Sequence, residues 1–515
     1  MVPGFFRICW RENAVPVPDR EEFRRLAEKG NLIPVYEELL ADLETPVSVL
    51  GKLGTEENTF LLESVADGEH LGRHSFIGHN PFFVLRARGD RVWLEHGEHS
   101  SQRGLREDES PLDVVRELLS GYQPVHVEGL PRFTGGAVGY VGYDTVRFFE
   151  RLPDAPNDDL GLPDVLLLGT DELVIFDHVT HTMKVVVNAH VDGDPDAAYD
   201  RAAERIRDTV ERLQRPPEGE DIQGPRTWYG REIRPELREG TSSNFERADF
   251  EAAVDACKEY IAAGDIIQVV LSQRFSRRAG APPFEIYRAL RIVNPSPYMF
   301  YLAIGGLYVV GSSPEILVTY DNGEAVVRPI AGTRPRGKTR PEDLALEQEL
   351  LSDEKERAEH IMLVDLGRND LGRVCEFGSV EVDELMVVER YSHVMHIVSN
   401  VRGRVREDMD QYDVLAATFP AGTVSGAPKI RAMEIIDELE PTRRGVYAGA
   451  VGYFGFSGNM DTGIAIRTIV IDRGVAHVQA GAGIVADSVP SKEYEETLNK
   501  AAALFAAIDR AGEQQ

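Results

Sequence analysis

The chain is poor in cysteine: only Cys9, Cys257 and Cys375 occur in its 515 residues. Their number is odd, and no two have the CxxC spacing of a redox pair or a zinc site. A disulfide framework is therefore excluded, and a reducing cytoplasm is the expected compartment. A chain of this length forms two or three domains whose cores need no covalent or metal cross-link.

Long hydrophobic runs are also lacking. The longest apolar stretch, around residues 301–310, is far shorter than the ~20 residues that span a bilayer. The first residues, MVPGFFRICWREN, have neither the basic segment nor the apolar run of a secretory signal. We therefore expect neither a membrane helix nor secretion.

Positive charge is scarce, with 56 Lys and Arg residues against 86 Asp and Glu residues and a net charge of −30. A field of this sign repels phosphate backbones, and no basic stripe is long enough to overcome it. The composition predicts a globular, enzyme-sized protein with no nucleic-acid partner.

Two patterns of secondary structure divide the chain. Short strand-like runs such as FLLESV, FFVLRA and MKVVVNAH fill residues 59–190, and apolar residues from Ala198 to Val210 then recur at the helical period. The Pro-, Gly- and acid-rich stretch RPPEGEDIQGPR, residues 215–226, has no periodicity and marks a connector. These patterns predict an N-terminal domain over residues 1–214, a connector over 215–243 and a second domain over 244–515.

The second domain combines helices with alternating strands. It opens with the helix FERADFEAAVDACKEYIAAG, which Gly264 ends, and the strand DIIQVVLSQRF follows. A helical pattern covers about residues 341–366, strands fill 445–485, and a last helix starts near Pro490. The predicted fold is α+β, with largely antiparallel sheets in a sandwich, helices packed outside, and two intimately associated domains. GAVGYVGY (136–143) nearly repeats as GAVGYFGF (449–456), which permits a duplication without establishing one.

Three familiar motifs are rejected. GAGIVA, residues 481–486, fits a dinucleotide fingerprint, but the roughly thirty residues that follow cannot form a βαβ unit. GTVSGAPK, residues 422–429, lacks the GK[ST] of a phosphate loop. His70, His74 and His79 have no cysteine partners, and the HxxH of His393 and His396 lacks the glutamate of HExxH, so zinc is not expected.

Two helices each present a pair of carboxylates. At about 100° per residue, Glu493, Glu496 and Lys500 share the face of the last helix opposite its apolar stripe. Glu356 and Glu359 stand at i and i+3 in the segment DEKERAEHIML. Mg²⁺ binds one or two carboxylates and completes its octahedron with waters and an anionic substrate. Spacing alone favours a solvated face with an i,i+4 Glu-Lys pair for the last helix, and for Glu356 and Glu359 it fits a solvated face and an ion site about equally well.

Two further segments could hold an anion. PIAGTRPRGKTR forms a basic island between Arg328 and Arg340 that contains the step Gly332-Thr333. The glycines of AGAG, residues 480–483, allow the backbone to approach a carboxylate closely, which Arg467 could reinforce. The alternatives are a loop that balances neighbouring glutamates and a set of simple turns.

Several motifs in order resemble the chorismate-utilising enzymes, and among them anthranilate synthase component I most closely. They are GSSPE (311–315), RPIAGTRPRG (328–337), DEKERAEHIMLVDLGRNDLGRV (353–374), HIVSNVRG (396–403), FPAGTVSGAPKIRAM (419–433), VYAGAVGY and AGAGIVADS. The likeness covers nearly all of residues 244–507. LLES (61–64) with GRHSFIG extends it into the first domain.

The resemblance implies a chorismate site with Mg²⁺ as its cofactor. It makes Glu315 the general acid that protonates the departing C4 hydroxyl, and His396 the histidine linked to the ring and to pyruvate loss. It also places Gln268 and Thr333 among the catalytic residues. The metal residues are Glu356, Glu359, Glu493 and Glu496, and the substrate-binding residues are Gly332, Thr333, Thr423, Tyr447, Arg467, Ala482, Gly483 and Lys500.

Two positions separate members of this family by their chemistry. Water-adding relatives, the isochorismate and salicylate synthases, carry a lysine base where this chain has Gln268, and a neutral amide cannot deprotonate water. Many aminodeoxychorismate synthases have a nucleophilic lysine where this chain has Ala331. Ammonia is then the expected nucleophile and anthranilate the expected product. The alternatives are an aminodeoxychorismate synthase without that lysine, a 2-amino-2-deoxyisochorismate synthase, and a non-catalytic tryptophan-binding regulator.

Ammonia implies a partner, because no cysteine here lies in the Gly-rich elbow of a glutamine-hydrolysing subunit. The resemblance implies a hetero-oligomer with such a subunit, component II, in tryptophan biosynthesis. It also implies feedback inhibition by tryptophan at a remote pocket in LLES and NPSPYMF, although NPSPYMF equally fits a proline-rigid turn. The residues of that pocket are Glu63, Ser64, Asn294, Pro297, Tyr298 and Met299.

Overall fold

The computed structural model describes residues 16–64, 72–216, 240–391 and 394–513. Cys9, His70, His393 and most of the predicted connector lie outside the described residues. Within the described ranges, no helix is long and apolar enough to cross a bilayer.

The helices and strands follow one another along the whole described chain. The α-helices are α1 (Arg20–Ala27), α2 (Pro46–Leu53), α3 (Pro111–Ser120), α4 (Pro195–Gln214), α5 (Arg247–Ala263), α6 (Pro283–Val293), α7 (Arg340–Ser352), α8 (Glu354–Gly372), α9 (Gln411–Thr418), α10 (Lys429–Leu439) and α11 (Pro490–Gly512). The strands of the first half are β1 (Leu32–Leu40), β2 (Thr59–Glu63), β3 (His74–Gly78), β4 (Phe83–Arg88), β5 (Arg91–His96), β6 (His99–Gly104), β7 (Gly136–Val141), β8 (Val165–Thr170), β9 (Glu172–Asp177), β10 (Thr182–His190) and β11 (Ser242–Ser243). Those of the second half are β12 (Gln268–Arg278), β13 (Tyr298–Ile304), β14 (Leu307–Ser313), β15 (Ile316–Asp321), β16 (Glu324–Val327), β17 (Ile330–Pro335), β18 (Glu381–Arg390), β19 (Val394–Arg404), β20 (Gly426–Ala427), β21 (Ala450–Gly455), β22 (Met460–Ile464), β23 (Thr468–Asp472) and β24 (Val475–Ile484). Short 3₁₀ turns lie at Tyr143–Phe148 and Gly422–Val424.

The strands form two large antiparallel sheets. The first has the order β1-β10-β9-β3-β2-β13-β14-β23-β24-β12-β11, with β20 paired to β12. The second has the order β17-β19-β16-β15-β22-β21-β7-β8-β4-β5-β6, with β18 paired to β19. Side chains from both, such as Phe60 of β2 and Tyr140 of β7, share one buried cluster. The predicted α+β fold with antiparallel sheets is confirmed.

Both sheets contain strands from the two sides of the predicted connector. In the first sheet Glu63 of β2 pairs with Met299 of β13. In the second, Gly136 of β7 pairs with Gly455 of β21. The hydrogen-bonded sheets thus continue across the connector, and the division of the chain into domains 1–214 and 244–515 stays a prediction.

The near-repeated GAVGY segments are the two strands β7 and β21, which pair with each other. Gly139 has φ +159°, and a Cβ there would meet the carbonyl oxygen of Leu166 at 2.1 Å. Gly136 has φ +144°, and a Cβ there would meet the carbonyl oxygen of Phe454 at 2.0 Å. Close strand packing therefore requires glycine at these two positions of the repeat.

The single helix predicted over residues 341–366 is wrong, because the chain forms α7 and α8 with a break at Asp353. The Asp353 side chain accepts hydrogen bonds from the backbone N–H groups of Lys355 and Glu356 and so caps α8. This cap starts a new helix just before the first predicted acid pair. By contrast, α5 ends at Gly264 with φ 85° and α11 starts at Pro490, as predicted.

Candidate active site

A cavity of about 670 Å³ lies among α8, α11, β12 and β24. It brings together predicted site residues from motifs that are far apart in the sequence. Those that line it are Gln268, Glu315, Thr333, Glu356, Glu359, His396, Thr423, Tyr447, Arg467, Gly483, Glu493, Glu496 and Lys500. Lys355, Tyr391 and Gln479 line it as well, although none of the three was predicted as a site residue.

Helix α8 supplies two carboxylates to the cavity. The Asp353 cap places Glu356 in the first turn, where Arg334 Nη1 donates to its Oε1 at 3.2 Å. Gln268 Nε2 donates to Glu359 Oε1 at 3.3 Å. Burial raises the pKa of Glu359, and the neighbouring charge of Glu356 acts in the same direction. This acid pair therefore faces the cavity and is not a fully solvated helix face.

Helix α11 supplies the facing pair. Its apolar stripe is buried as predicted, with Tyr494 and Phe505 among the core residues, which turns Glu493 and Glu496 towards the cavity. Lys500 Nζ lies 2.7 Å from Glu496 Oε1 and also donates to the carbonyl oxygen of Gly481 at 2.9 Å. Burial raises the pKa of Glu493, and the charge of Glu496 adds to the shift.

The two acid pairs line one cavity, but their carboxylates do not converge on a common point as the ligands of a metal ion do. In the described ranges, no three His, Cys, Asp or Glu side chains converge as closely as a metal ion requires. The donor set is nevertheless chemically suitable, because carboxylates are the side chains that Mg²⁺ prefers. A bound cation would also offset the like-charge repulsion that helps to raise the pKa values of Glu359 and Glu493.

A second part of the cavity wall offers cations and hydrogen-bond donors. Arg467 lies between β22 and β23 with φ 50°, and its guanidinium donates to the carbonyl oxygen of Lys500. Burial lowers the pKa of Arg467, whereas Tyr447, Glu315 and Glu496 act against that shift. Burial raises the pKa of Tyr447 to about 12, so its hydroxyl is a neutral donor near pH 7.

Glycine in β24 leaves room in this wall. A Cβ at Gly483 would lie 2.6 Å from Nε2 of Gln268, so a side chain there would push into the cavity. The AGAG segment lies within strand β24, so its glycines do not form turns. Gly481 and Gly483 both line the cavity that Gln268 borders.

Glu315 lies between β14 and β15, where its carbonyl oxygen accepts a hydrogen bond from Ile464 N–H at 3.0 Å. Burial raises the pKa of its carboxyl group, although the Thr423 hydroxyl, Lys500 and Arg467 act in the opposite direction. A carboxyl group with a raised pKa retains its proton to a higher pH than an exposed glutamic acid. It is thus suited to act as a general acid.

His396 of β19 faces Thr333 of β17, its partner in the strand register. Its Nδ1 lies 3.1 Å from the carbonyl oxygen of Gly332 and 3.0 Å from Oγ1 of Thr333. A carbonyl oxygen only accepts, so Nδ1 carries the proton and Nε2 is left as an acceptor. Burial lowers the pKa of His396, which keeps the imidazole neutral.

Comparison with known proteins shows which family has this arrangement. A sequence model of chorismate-binding enzymes matches residues 58–506. Anthranilate synthase component 1 of Acetivibrio thermocellus is 50% identical over 496 residues, which cover 96% of this chain and 99% of the relative. That of Aquifex aeolicus is 53% identical over 498 residues, covering 96% and 98%. The chain belongs to the anthranilate synthase component 1 family.

Solved structures agree with this membership. The crystal structure of anthranilate synthase component I from Streptococcus pneumoniae superposes with a TM-score of 0.72 at 38% identity, covering 91% of this chain and 99% of that one. The menaquinone-specific isochorismate synthase of Escherichia coli has a TM-score of 0.66 at 19% identity, over 95% of this chain and 98% of that one, and shares the fold. The likeness to anthranilate synthase component 1 that the motifs indicated is confirmed.

Within this family fold, the remaining predicted residues lie at the cavity edge or apart from it. Gly332 has φ +69° and does not line the cavity, but a Cβ there would meet Glu356 Oε2 at 3.2 Å. Ala482 is fully buried in a separate cluster beneath α5 and α10, since alternate residues of β24 face opposite sides. The structure therefore brings Gly483 but not Ala482 to the cavity.

The six residues predicted for the tryptophan pocket fall into two groups. Asn294 and Pro297 line the main cavity itself. The others lie on or beside the paired strands β2 and β13, where Glu63 is buried and accepts hydrogen bonds from Tyr287 and Arg291. The Tyr298 hydroxyl donates to Asp461 Oδ1 at 2.7 Å. The tryptophan assignment of Glu63, Ser64, Asn294, Pro297, Tyr298 and Met299 stays a prediction.

Proposed function

We propose that this protein is the large component of an anthranilate synthase, which converts chorismate and ammonia to anthranilate and pyruvate. The observation that carries the proposal is the shared cavity of the two acid pairs, Arg467, Lys500 and Glu315. It occurs in a chain about half identical, over nearly its full length, to relatives named for this activity.

Substrate binding would rest on opposite charges. Chorismate is a dicarboxylate, and the cations Arg467 and Lys500 line the same cavity as the neutral donors Tyr447 and Gly483. A guanidinium and a backbone amide can each form charge-assisted hydrogen bonds with a carboxylate. We infer that these four residues hold the substrate carboxylates, with Thr423 beside them.

The acid pairs suit a divalent cation, and we propose that Glu356, Glu359, Glu493 and Glu496 hold Mg²⁺, some of them through water. When bound, the ion would neutralise the ring carboxylate of chorismate. Support comes from the pKa values of Glu359 and Glu493, which burial and like-charge neighbours both raise. The chain itself keeps Lys500 beside Glu496 as a further positive charge.

Glu315 would supply the proton in the first step. Its carboxyl group gives a proton to the C4 hydroxyl, which leaves as water, while ammonia adds at C2. Gln268 is a neutral amide that contacts Glu359, so it cannot act as the base that water would need. Ala331 cannot form a covalent bond to C2. The product of this step would be 2-amino-2-deoxyisochorismate.

The second step would release pyruvate. The enolpyruvyl ether bond breaks, C2 loses its proton, the pyruvate methyl group gains one, and the ring becomes aromatic. His396, held neutral and oriented by Gly332, lines the cavity and is the residue we assign to this step. Its free Nε2 can accept a proton.

We further propose that ammonia comes from a glutamine-hydrolysing component 2 subunit and that tryptophan inhibits the enzyme. The relatives' name, component 1, supports the existence of that partner. Cys257 and Cys375 are buried and unpaired, which suits a cytoplasmic protein. Inhibition would be tested by titrating tryptophan against wild type and Ser64→Ala, which should lose sensitivity but not activity.

The test of the proposed reaction is product identification. The purified chain with chorismate, Mg²⁺ and ammonium at high pH should give fluorescent anthranilate. Mass spectrometry distinguishes the other outcomes: an aminodeoxychorismate isomer that retains the enolpyruvyl group would replace the proposal by one of the two alternative synthases. A hydroxylated product, or no turnover with tight tryptophan binding, would refute the proposal.

A further inference from the structure

Arg444 is a buried charge directly behind the active-site cavity. Its side chain is 1% exposed, and that of its partner Glu440 is 2% exposed. Arg444 Nε donates to Glu440 Oε2 at 2.9 Å, and Nη2 donates to Oε1 at 2.6 Å. A buried ion pair is weak evidence for stability by itself, because an apolar pair of similar volume often does as well. Its other contacts therefore bear on its role.

Those contacts lead to separate segments of the cavity wall. Arg444 Nη1 donates to the carbonyl oxygen of Val424, and Nη2 donates to that of Val270, both at 2.7 Å. Val424 and Val270 line the cavity; the first follows Thr423, and the second lies on β12 two residues after Gln268. The guanidinium also lies 5.5 Å from the ring centroid of Tyr447. One planar group thus contacts three parts of the wall.

Glu440 extends the network to β24. Its Oε1 accepts from the backbone N–H and the hydroxyl of Ser272, each at 2.8 Å. Gln479 Nε2 donates to the same hydroxyl at 2.8 Å, and Gln479 lines the cavity. The pair therefore contacts four wall residues, directly or through Ser272: Val270, Val424, Tyr447 and Gln479.

We propose that Arg444 and Glu440 are positioning residues that set the spacing of Tyr447, Thr423 and β12 for the substrate carboxylates. This inference rests on the proposed function for the identity of the substrate. We expect the directional hydrogen bonds of Arg444 to matter more than its charge. Lysine keeps the charge but has a single ammonium nitrogen, so it cannot reproduce the planar arrangement of several donors in a guanidinium. A loss of these bonds should loosen substrate binding while the sheets keep their fold.

The test compares Arg444→Lys with a matched control, Arg277→Lys. The Arg277 side chain is 9% exposed, lies 2.6 Å from Asp509 and 4.9 Å from the Phe505 ring, and does not line the cavity. In Arg444→Lys, the KM and the dissociation constant for chorismate should rise about tenfold, which is about 1.4 kcal/mol, and kcat should fall by a smaller factor. Arg277→Lys should leave the KM unchanged.

A second variant separates positioning from charge. The double variant Arg444→Met, Glu440→Gln removes both charges, so no unpaired charge is left buried. The amide oxygen of the new glutamine can still accept the hydrogen bonds from Ser272, so the variant should fold. We expect its KM for chorismate to stay raised. A wild-type KM in this double variant or in Arg444→Lys, an equal rise in Arg277→Lys, or failure of both Arg444 variants to fold would overturn the proposal. Chorismate binding is measured directly, so a different product in the wild type would refute the proposed reaction and leave this test standing.

Discussion

Replacing Glu359 by Gln tests whether α8 and α11 meet around a cation. Glu359 stands three residues after Glu356, a spacing that puts Cβ atoms about 5–6 Å apart on a helix. Two unit charges at about 6 Å repel by roughly 2–3 kcal/mol at an effective dielectric constant of about 20. Without metal, Glu359→Gln should therefore unfold no earlier than the wild type and should gain up to ~2 kcal/mol in the free energy of unfolding.

Magnesium should reverse that order. An ion present at about 100 times its dissociation constant stabilises the folded state by about 2.7 kcal/mol. The wild type should gain this amount, whereas Glu359→Gln, with one carboxylate fewer, should gain little and should lose anthranilate formation. The assay is the midpoint of thermal unfolding in chelator and in Mg²⁺, together with calorimetric titration of the ion.

The matched control is Glu354→Gln, an exposed glutamate of the same helix that does not line the cavity. It should behave as the wild type with and without the ion. The reasoning is refuted if Glu359→Gln melts well below the wild type in chelator. It is also refuted if this variant keeps the magnesium shift and full turnover.

Three further predictions follow from the same cavity. Glu315→Gln should lower kcat by a factor of about 10²–10⁴, with little change in the dissociation constant for chorismate measured by calorimetry. A wild-type kcat in this variant would show that Glu315 is not the proton donor. Gly483→Ala places a methyl group 2.6 Å from Gln268 Nε2. Steady-state kinetics should therefore show a raised KM for chorismate, while the midpoint of thermal unfolding stays near that of the wild type. An unchanged KM would contradict the position of Gly483 in the cavity wall. Burial raises the pKa values of Glu359 and Glu493, and Mg²⁺ binds the ionised carboxylates. The stabilisation by Mg²⁺ should therefore be complete at a pH above these pKa values and should decrease as the pH falls through them. The decrease should begin at a higher pH than it would for exposed glutamates. Thermal midpoints between about pH 8 and 5 test this last point, and a magnesium shift that stays constant over that range would argue against carboxylate ligands.

Local sequence patterns predicted which residues share a helix face, but not which helices line the same cavity. The faces of α11 followed from the helical period, because Glu493, Glu496 and Lys500 lie one turn apart. The same rule placed Glu356 and Glu359 together. It could not show that α8 and α11 line one cavity, since they are separated by more than a hundred residues and their approach depends on sheet pairing.

Local chemistry also explains where the sequence analysis failed. Asp353 ended one helix and began another through two backbone hydrogen bonds, a cap that the apolar pattern did not reveal. The side chain of Ala482 lies on the face of β24 opposite Gly481 and Gly483, as strand alternation requires, so its predicted role in substrate binding could come only from its backbone. The edge strand β18 was not predicted because none of its residues is fully buried, so it presents no apolar face.

Arg444 was missed for a different reason. Nothing in DELEPTRRGVYAGA distinguishes it from the adjacent Arg443, and its role depends on carbonyl groups of Val424 and Val270 brought together by the fold. Residues that act through backbone contacts leave no pattern of side-chain types. Only the three-dimensional arrangement can identify them.

The pairing of β2 with β13 and of β7 with β21 constrains how the protein is made. When the first 216 residues have left the ribosome, β2 and β7 each have an unpaired edge, because their partners begin at Tyr298 and Ala450. Such open edges bind other chains readily. Neither sheet can be completed until most of the polypeptide has been translated, so expression of the N-terminal half alone should yield aggregates, and rescue should require the C-terminal half in the same cell.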